Sequence, residues 1–234
     1  MGTNDYGEAA VRYALRGITG TDGIAFRWLA ERIAGSGLAG DALDLGCGSG
    51  RSTRFLKGLG LDAWGVDISQ AMVGEARRLD PGGTYLTYPA GGRLPFEDAA
   101  FHLVLSTWVV LELGSRTDLE VFVREAARVL RPGGKGFLVT NTADFYGHRW
   151  ATCEVDFPEN APPLRSGQRV KARLLPERVV VTDVYRSDRD YRDAFAGAGL
   201  RVEGVAHPVA AEADGGSWLD ETRVAPWAIY EVGK

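Results

Sequence analysis

From residue 42 onward, the hydrophobic positions alternate between short β-type runs and longer runs with helical spacing. Short apolar runs separated by amphipathic segments are typical of a parallel sheet wound with crossover helices. The pattern predicts strands over 42–45, 63–67, 84–88, 101–107 and 137–140, and helices over 52–59, 69–79 and 117–130. Ser69 is expected to cap the second helix, and the sequence RPGG to end the third.

Residues 141–186 do not follow this alternation. Two β-type runs within them, 170–175 and 178–185, predict a hairpin outside the main sheet. The remaining segments predict one or two helices over 4–34, a helix over 190–198, and strands over 200–206 and 227–232. We therefore expect one α/β domain: a doubly wound, seven-stranded, mostly parallel sheet with an antiparallel last strand. Its parts would be N-terminal helices (1–40), a ligand-binding core (41–140), a cap insert (141–186) and a C-terminal helix with strands (187–234).

The first strand leads directly into a glycine-rich turn, in the sequence ALDLGCGSG at 42–50. Gly46, Gly48 and Gly50 allow the backbone to approach a ligand at the start of the next helix. Asp67 ends the second predicted strand about 20 residues later, where a carboxylate can bind both hydroxyls of a ribose. The turn and Asp67 together predict a nucleoside site.

A nicotinamide-dependent oxidoreductase would share this arrangement. Its fingerprint is G-x-G-x-x-G, whereas the spacing here is G-x-G-x-G and Arg51 occupies the place of the third glycine. The oxidoreductase stays an alternative, as does a binding protein without catalytic activity.

Composition limits the partners and cofactors. The net charge of −4 argues against a nucleic-acid surface, which needs a basic stripe, and no apolar run is long enough for a membrane span. The first residues do not resemble a secretion signal, so we expect a cytoplasmic location. We expect the protein to be a monomer or a homodimer. Two cysteines and three scattered histidines predict no metal site.

Four ordered motifs carry a family resemblance: LDLGCGSG, GVDIS, LPFEDAAFHLVLS and ARVLRPGGKGFLV. Together they resemble the successive motifs of class I S-adenosylmethionine-dependent methyltransferases, over about residues 40–140, with the sequence YRDAFAGAGLRVEGV following in the expected order. The resemblance implies a Rossmann-like fold, S-adenosyl-L-methionine as cofactor and S-adenosyl-L-homocysteine as product. It is closest in plan to the branch that acts on small molecules of secondary metabolism.

The resemblance also implies roles for individual residues. It assigns Asp44 and the backbone of Gly46, Cys47, Gly48 and Gly50 to the methionine end of the cofactor, Asp67 to the ribose, Ile68 and Gly91 to the adenine, and Ser106 to the floor beneath the methionine. Tyr13 would cover the cofactor as part of an N-terminal lid. Two positions depart from the family pattern: Ala90 replaces an acidic residue that often contacts the adenine amino group, and His102 replaces a mostly structural carboxylate.

The methyl acceptor is expected to lie beneath the cap insert, whose residues 142–157 are rich in aromatic and titratable side chains. His148 is the predicted general base because its ordinary pKa is near neutrality, and Tyr146 is its predicted catalytic partner. The predicted substrate-binding residues are Tyr6, Trp108, Trp150 and Tyr185. An enclosed aromatic pocket favours methylation at nitrogen or oxygen of a small aromatic or heterocyclic metabolite. Carbon methylation and a carrier-bound substrate remain alternatives.

Overall fold

Ten strands and six helices follow one another in the computed structural model, which describes residues 10–234. The strands are β1 Asp41–Leu45, β2 Asp62–Asp67, β3 Thr84–Thr87, β4 Phe101–Thr107, β5 Leu130–Asn141, β6 Cys153–Glu154, β7 Arg169–Leu174, β8 Val179–Val184, β9 Arg201–Ala206 and β10 Trp227–Gly233. The helices are α1 Ala10–Tyr13, α2 Gly20–Gly35, α3 Arg51–Gly58, α4 Gln70–Leu79, α5 Arg116–Val129 and α6 Asp188–Gly197.

Seven of these strands form the main sheet, in the order β3-β2-β1-β4-β5-β10-β9. The first five are parallel, and β10 runs antiparallel to both of its neighbours. The predicted doubly wound sheet with an antiparallel last strand is therefore confirmed. The winding reverses between β1 and β4, and in such sheets the crevice at the carboxyl ends of these strands is where ligands bind.

Both faces of the sheet are covered, as expected for parallel strands with continuous apolar runs. Along β4, Leu103 and Leu105 belong to one buried cluster with Leu29 of α2, while Val104 belongs to the opposite cluster with Phe122 of α5. Alternate side chains of a strand point to opposite faces, which explains this division. The helix caps hold these layers in place: Ser69 accepts a hydrogen bond from the Met72 N–H at 3.3 Å, as predicted.

The segment after β5 leaves the main sheet and forms a second, three-stranded antiparallel sheet in the order β6-β7-β8. Its longer hairpin, β7 and β8, was predicted, and each of the four strand ends differs from the prediction by one residue. The two-residue strand β6 was not predicted, since so short a run has no periodicity. Apolar residues of this sheet, including Val170 and Val181, pack into the same cluster as α2. The insert therefore shares a core with one face of the main sheet.

One boundary differs more strongly from the prediction. We expected a strand over 137–140 after a turn at RPGG, but β5 begins at Leu130, immediately after α5. The Gly133 N–H donates to the carbonyl of Lys234 at 3.1 Å, so the end of the chain pairs with this turn-like sequence and extends the strand. Within the described residues, no helix is long and apolar enough to cross a membrane.

Candidate active site

The glycine turn lies between β1 and α3, at the carboxyl end of the strand. Gly46, Gly48 and Gly50 all have positive φ, at 82°, 52° and 80°. A Cβ atom on Gly46 would lie 2.2 Å from Cγ2 of Val109, so at this position the side chain is excluded by packing as well as by conformation. The sequence thus fixes a backbone cradle that larger residues cannot form.

Asp67, the last residue of β2, holds the turn from the neighbouring strand. Its Oδ2 accepts a hydrogen bond from the Gly48 N–H at 2.8 Å, and its Oδ1 accepts one from the Ser69 N–H at 2.8 Å. Burial raises the pKa of this carboxyl, although the same N–H groups oppose the rise. Each oxygen keeps a further lone pair, so the carboxylate is oriented to accept two more hydrogen bonds at the cavity wall.

A cavity of about 340 Å³ opens between the glycine turn and the residues that follow β4. It lies at the β1/β4 reversal, and its size is within the range of small-molecule sites. Of the predicted cofactor residues, the structure brings seven to its wall: Tyr13, Gly46, Cys47, Gly48, Asp67, Ile68 and Gly91. Arg51, Met72 and Tyr88 also line it and were not predicted.

Three predicted cofactor residues do not line this cavity. Asp44 is fully buried, and its Oδ2 accepts hydrogen bonds from the hydroxyls of Ser52 at 2.7 Å and Thr53 at 2.6 Å. It therefore ties β1 to the first turn of α3, and burial raises its pKa to about 6. Gly50 serves as the N-cap of α3, and Ser106 is buried at the end of β4, away from the cavity wall.

A second, smaller cavity of about 60 Å³ adjoins the first. Four residues line both: Tyr13, Arg51, Trp108 and Glu112. Much of the rest of its wall comes from the main sheet and from the insert, with the aromatic rings of Phe145 and Trp227 and the apolar side chains of Ala172, Leu174 and Val181. The insert thus lines a space beside the main cavity.

A buried ion network lies at the junction of the two cavities. Asp22 of α2 accepts hydrogen bonds from Arg16 at 2.7 Å and from Arg51 at 2.6 Å. Burial alone would raise the pKa of Asp22, but the two guanidinium groups bring it below its ordinary value. The Arg51 guanidinium also lies 5.2 Å from the ring centroids of Phe26 and Trp108. This network joins the N-terminal segment to the glycine turn.

The structure separates the predicted acceptor residues. Trp108 lines both cavities. The Tyr146 hydroxyl is buried close to the second cavity, where it contacts Asp183. Tyr6 lies outside the described residues. His148 is outside both cavities, with Nδ1 at 2.9 Å from the carbonyl oxygen of Asp144. Trp150 is buried, stacks on Phe145 and donates to its carbonyl at 2.7 Å, while Tyr185 contacts the edge of the Tyr146 ring.

Asp183 of β8 also lines the second cavity, and sequence analysis missed it. It is 5% exposed, and its Oδ2 accepts a hydrogen bond from the Tyr146 hydroxyl at 3.2 Å. The same hydroxyl accepts one from Nδ2 of Asn141 at 2.9 Å. Burial raises the pKa of Asp183 to about 7, and Tyr146 opposes only part of that rise.

Replacing Asp183 with asparagine is expected to stabilise the protein increasingly as the pH rises. The folded carboxyl has its pKa raised to about 7, whereas an unfolded chain ionises it near 4, so ionisation between these values favours the unfolded state. Asparagine cannot ionise. The difference in free energy of unfolding between variant and wild type should therefore grow by about 2–3 kcal/mol from pH 5 to pH 8. Urea unfolding at both pH values measures it, and a constant difference would contradict the assignment.

No group of three or more histidine, cysteine, aspartate or glutamate residues within 10–234 is arranged to hold a metal ion. Both cysteines, Cys47 and Cys153, are buried and free. Burial raises the pKa of each thiol, so neither is an activated nucleophile.

Comparison with known proteins gives three findings. Residues 43–138 match the family described as "Methyltransferase domain". The chain is 34% identical over 111 residues to a demethylmenaquinone methyltransferase of Tropheryma whipplei, covering 47% of this chain and 45% of that protein. It is 35% identical over 102 residues to a malonyl-[acyl-carrier protein] O-methyltransferase of Enterobacter lignolyticus, covering 44% and 39%. This chain thus matches less than half the length of either relative.

Solved structures resemble the whole fold. A putative S-adenosylmethionine-dependent methyltransferase from Listeria monocytogenes superposes with a TM-score of 0.63 at 19% identity, covering 91% of this chain and 99% of that one. An S-adenosylmethionine-dependent methyltransferase from Mesorhizobium loti gives 0.62 at 21% identity, covering 92% and 100%. At such identities, the likeness establishes a shared fold.

Proposed function

We propose that the chain, whose residues 43–138 match the methyltransferase-domain family, is a class I S-adenosylmethionine-dependent methyltransferase that methylates nitrogen or oxygen of a small aromatic or heterocyclic metabolite. The observation that carries the proposal is the pairing of Asp67 with the glycine turn at the β1/β4 crevice. An oriented carboxylate beside a glycine backbone that a ligand can approach closely suits a nucleoside that carries an amino-acid end.

Asp67 would accept hydrogen bonds from the two ribose hydroxyls. Ile68, which is 43% exposed, would pack on the adenine, with Gly91 close to the ring edge. The backbone of Gly46 and Gly48 would receive the methionine end. Asp44 acts indirectly, because its hydrogen bonds to Ser52 and Thr53 fix the start of α3 next to the turn.

When bound, S-adenosylmethionine supplies an electrophilic methyl group on a sulfonium. Since the leaving group is already activated, the protein's contribution is to hold the acceptor in line and to exclude water. Trp108 and Tyr13, which line both cavities, lie where the acceptor and the methyl donor would meet.

The small volume of the second cavity supports a small acceptor, because a polymer would need an extended open groove. Some relatives carry names with other acceptors, a quinone and a malonyl group on a carrier protein, and these keep carbon methylation and carrier-bound substrates as alternatives. A cytoplasmic location, the absence of a nucleic-acid partner, and a monomeric or dimeric state stay predictions.

Transfer of a labelled methyl group tests the acceptor class. The protein is incubated with S-adenosylmethionine carrying a tritiated methyl group and, separately, with pools of phenols and N-heterocycles, of quinols, and of malonyl-loaded acyl carrier protein. We expect label in the first pool, attached at oxygen or nitrogen. Label only on quinol carbon or only on the carrier-bound acyl group would overturn the acceptor assignment, and no label in any pool would count against methyl transfer itself.

A further inference from the structure

The second cavity contains polar groups whose hydrogen-bonding capacity is not used. The Tyr146 hydroxyl is the one hydrogen-bond partner of the Asp183 carboxylate among residues 10–234, and it engages Oδ2. Asn141 donates to the same hydroxyl, yet its own Oδ1 is buried and accepts no hydrogen bond within the described chain. Both side chains line the cavity. Buried polar atoms without partners are uncommon in folded proteins, because leaving one unsatisfied costs about 1–3 kcal/mol.

A further unsatisfied group lies on the wall shared with the main cavity. The indole Nε1 of Trp108 is buried and has no hydrogen-bond acceptor among the described residues. Trp108 also has positive φ, at 61°, a conformation that is unfavourable for a bulky residue and persists only where the surroundings impose it. The chain therefore places an indole at the junction of the two cavities at a conformational cost.

The remaining surface restricts the shape and charge of a ligand. Phe145 and Trp227 present rings, and Ala172, Leu174 and Val181 present small or branched apolar side chains. Two cations also reach this wall, but Arg16 is neutralised by Asp22 and Glu177, and Arg51 by Asp22. A free anion would gain little from these paired guanidinium groups and would face the Asp183 carboxylate. A flat, uncharged ring fits this wall better than an acid does.

We propose that the methyl acceptor is a ring bearing hydroxyl or N–H donors that spans the second cavity and the adjoining part of the main cavity, with Asp183 and Asn141 accepting hydrogen bonds from those donors. The inference rests on the proposed methyltransferase function and extends it to a substrate class. The two oxygens call for two donors on neighbouring atoms of the ring, and the Trp108 N–H calls for one acceptor. A vicinal dihydroxy ring, or a ring with adjacent hydroxyl and N–H groups, satisfies all three.

The proposed hydrogen bond from the acceptor to Asp183 also determines where the acceptor's proton goes. An O–H or N–H group that gains a methyl group must lose its proton, and the electron pair of the broken S–C bond stays on sulfur, giving a neutral thioether. The Asp183 carboxylate, hydrogen-bonded to the reacting group, takes that proton. Tyr146 is then a positioning residue, because its hydroxyl holds Asp183 and Asn141 in a fixed relation.

Ligand-observed NMR on the complex with S-adenosylhomocysteine tests the inference, with catechol as the probe and 1,2-dimethoxybenzene as the matched ring without donors. Asp183→Asn keeps the shape of the side chain but removes its charge. Asp156→Asn, at an exposed position of the insert, is the matched control. We expect catechol to bind wild type and Asp156→Asn alike, and Asp183→Asn about tenfold or more weakly, because a hydrogen bond to a charged group is lost. Dimethoxybenzene should not distinguish the three proteins.

A second variant tests the location independently of Asp183. Ala172→Leu adds side-chain volume at a buried position of the cavity wall and should reduce binding of catechol without changing the affinity for S-adenosylhomocysteine. Equal binding of catechol to wild type and Asp183→Asn would overturn the inference, and so would an absence of catechol binding to a wild-type complex that holds S-adenosylhomocysteine. Failure of S-adenosylhomocysteine itself to bind would instead overturn the proposed function.

Discussion

Replacing Asp67 with alanine is expected to weaken binding of S-adenosylhomocysteine by about 100-fold or more. The carboxylate would accept hydrogen bonds from two ribose hydroxyls, and each bond to a charged group is worth about 1.5–3 kcal/mol. The substitution also releases the Gly48 N–H, which Asp67 holds at 2.8 Å, so the turn loses its orientation. Titration calorimetry of the purified variant measures the change.

Two further variants separate binding from folding. Asp67→Asn retains a side-chain oxygen for the Gly48 N–H but has no charge, so we expect a smaller loss than for alanine. Asp62→Ala, at the exposed opposite end of β2, should bind as wild type does. If Asp67→Ala bound S-adenosylhomocysteine as tightly as Asp62→Ala, Asp67 would not be the ribose ligand.

Replacing Gly46 with alanine is expected to destabilise the protein by about 2–4 kcal/mol and to abolish cofactor binding. Gly46 has φ of 82°, and the new Cβ would lie 2.2 Å from Cγ2 of Val109. Neither the left-handed conformation nor so close a contact is compatible with an ordinary side chain, so the turn and the segment after β4 must separate. Both line the main cavity. Thermal unfolding and calorimetry would record the two effects.

Gly74 provides the matched control. It lies within α4, and a Cβ there would meet nothing within 4 Å, so Gly74→Ala should raise the free energy of unfolding by about 0.5–1 kcal/mol. Adding Val109→Ala to Gly46→Ala should recover part of the lost stability, because it removes the clashing methyl groups. Wild-type stability and binding in Gly46→Ala alone would contradict the described approach of Gly46 and Val109.

The main sheet and the cofactor side of the site could be predicted because their signals are local. Strand, glycine turn and helix are consecutive in sequence, and Asp67 follows at the end of the next strand, so chain order alone brings it beside the turn. Asp44 differs, because it does not line the main cavity. Residues of a central parallel strand are covered on both faces, and the sequence does not reveal that the Asp44 carboxylate is used by Ser52 and Thr53.

The acceptor side depends on contacts that sequence spacing does not encode. Asp183 meets Tyr146 across 37 positions of the chain, through a hairpin whose alternating pattern fixes a face but not its neighbours. His148 is predicted as the general base from the ordinary pKa of histidine and from its aromatic neighbours in the sequence. In the structure its ring instead faces the carbonyl of Asp144. The sequence did contain one signal for Asp183, which is the carboxylate within the apolar strand sequence VVVTDV. An unpaired charge is seldom buried among apolar residues unless it has a function.

We propose that the cavity beside the glycine turn binds the adenosyl cofactor of a methyltransferase. Calorimetric titration of the wild-type protein with S-adenosylhomocysteine and, separately, with NAD tests it most directly. We predict binding of S-adenosylhomocysteine with a dissociation constant on the order of micromolar, about −8 kcal/mol, and no binding of NAD. Binding of NAD alone would contradict this cofactor assignment and would favour the alternative that the protein is a nicotinamide-dependent oxidoreductase.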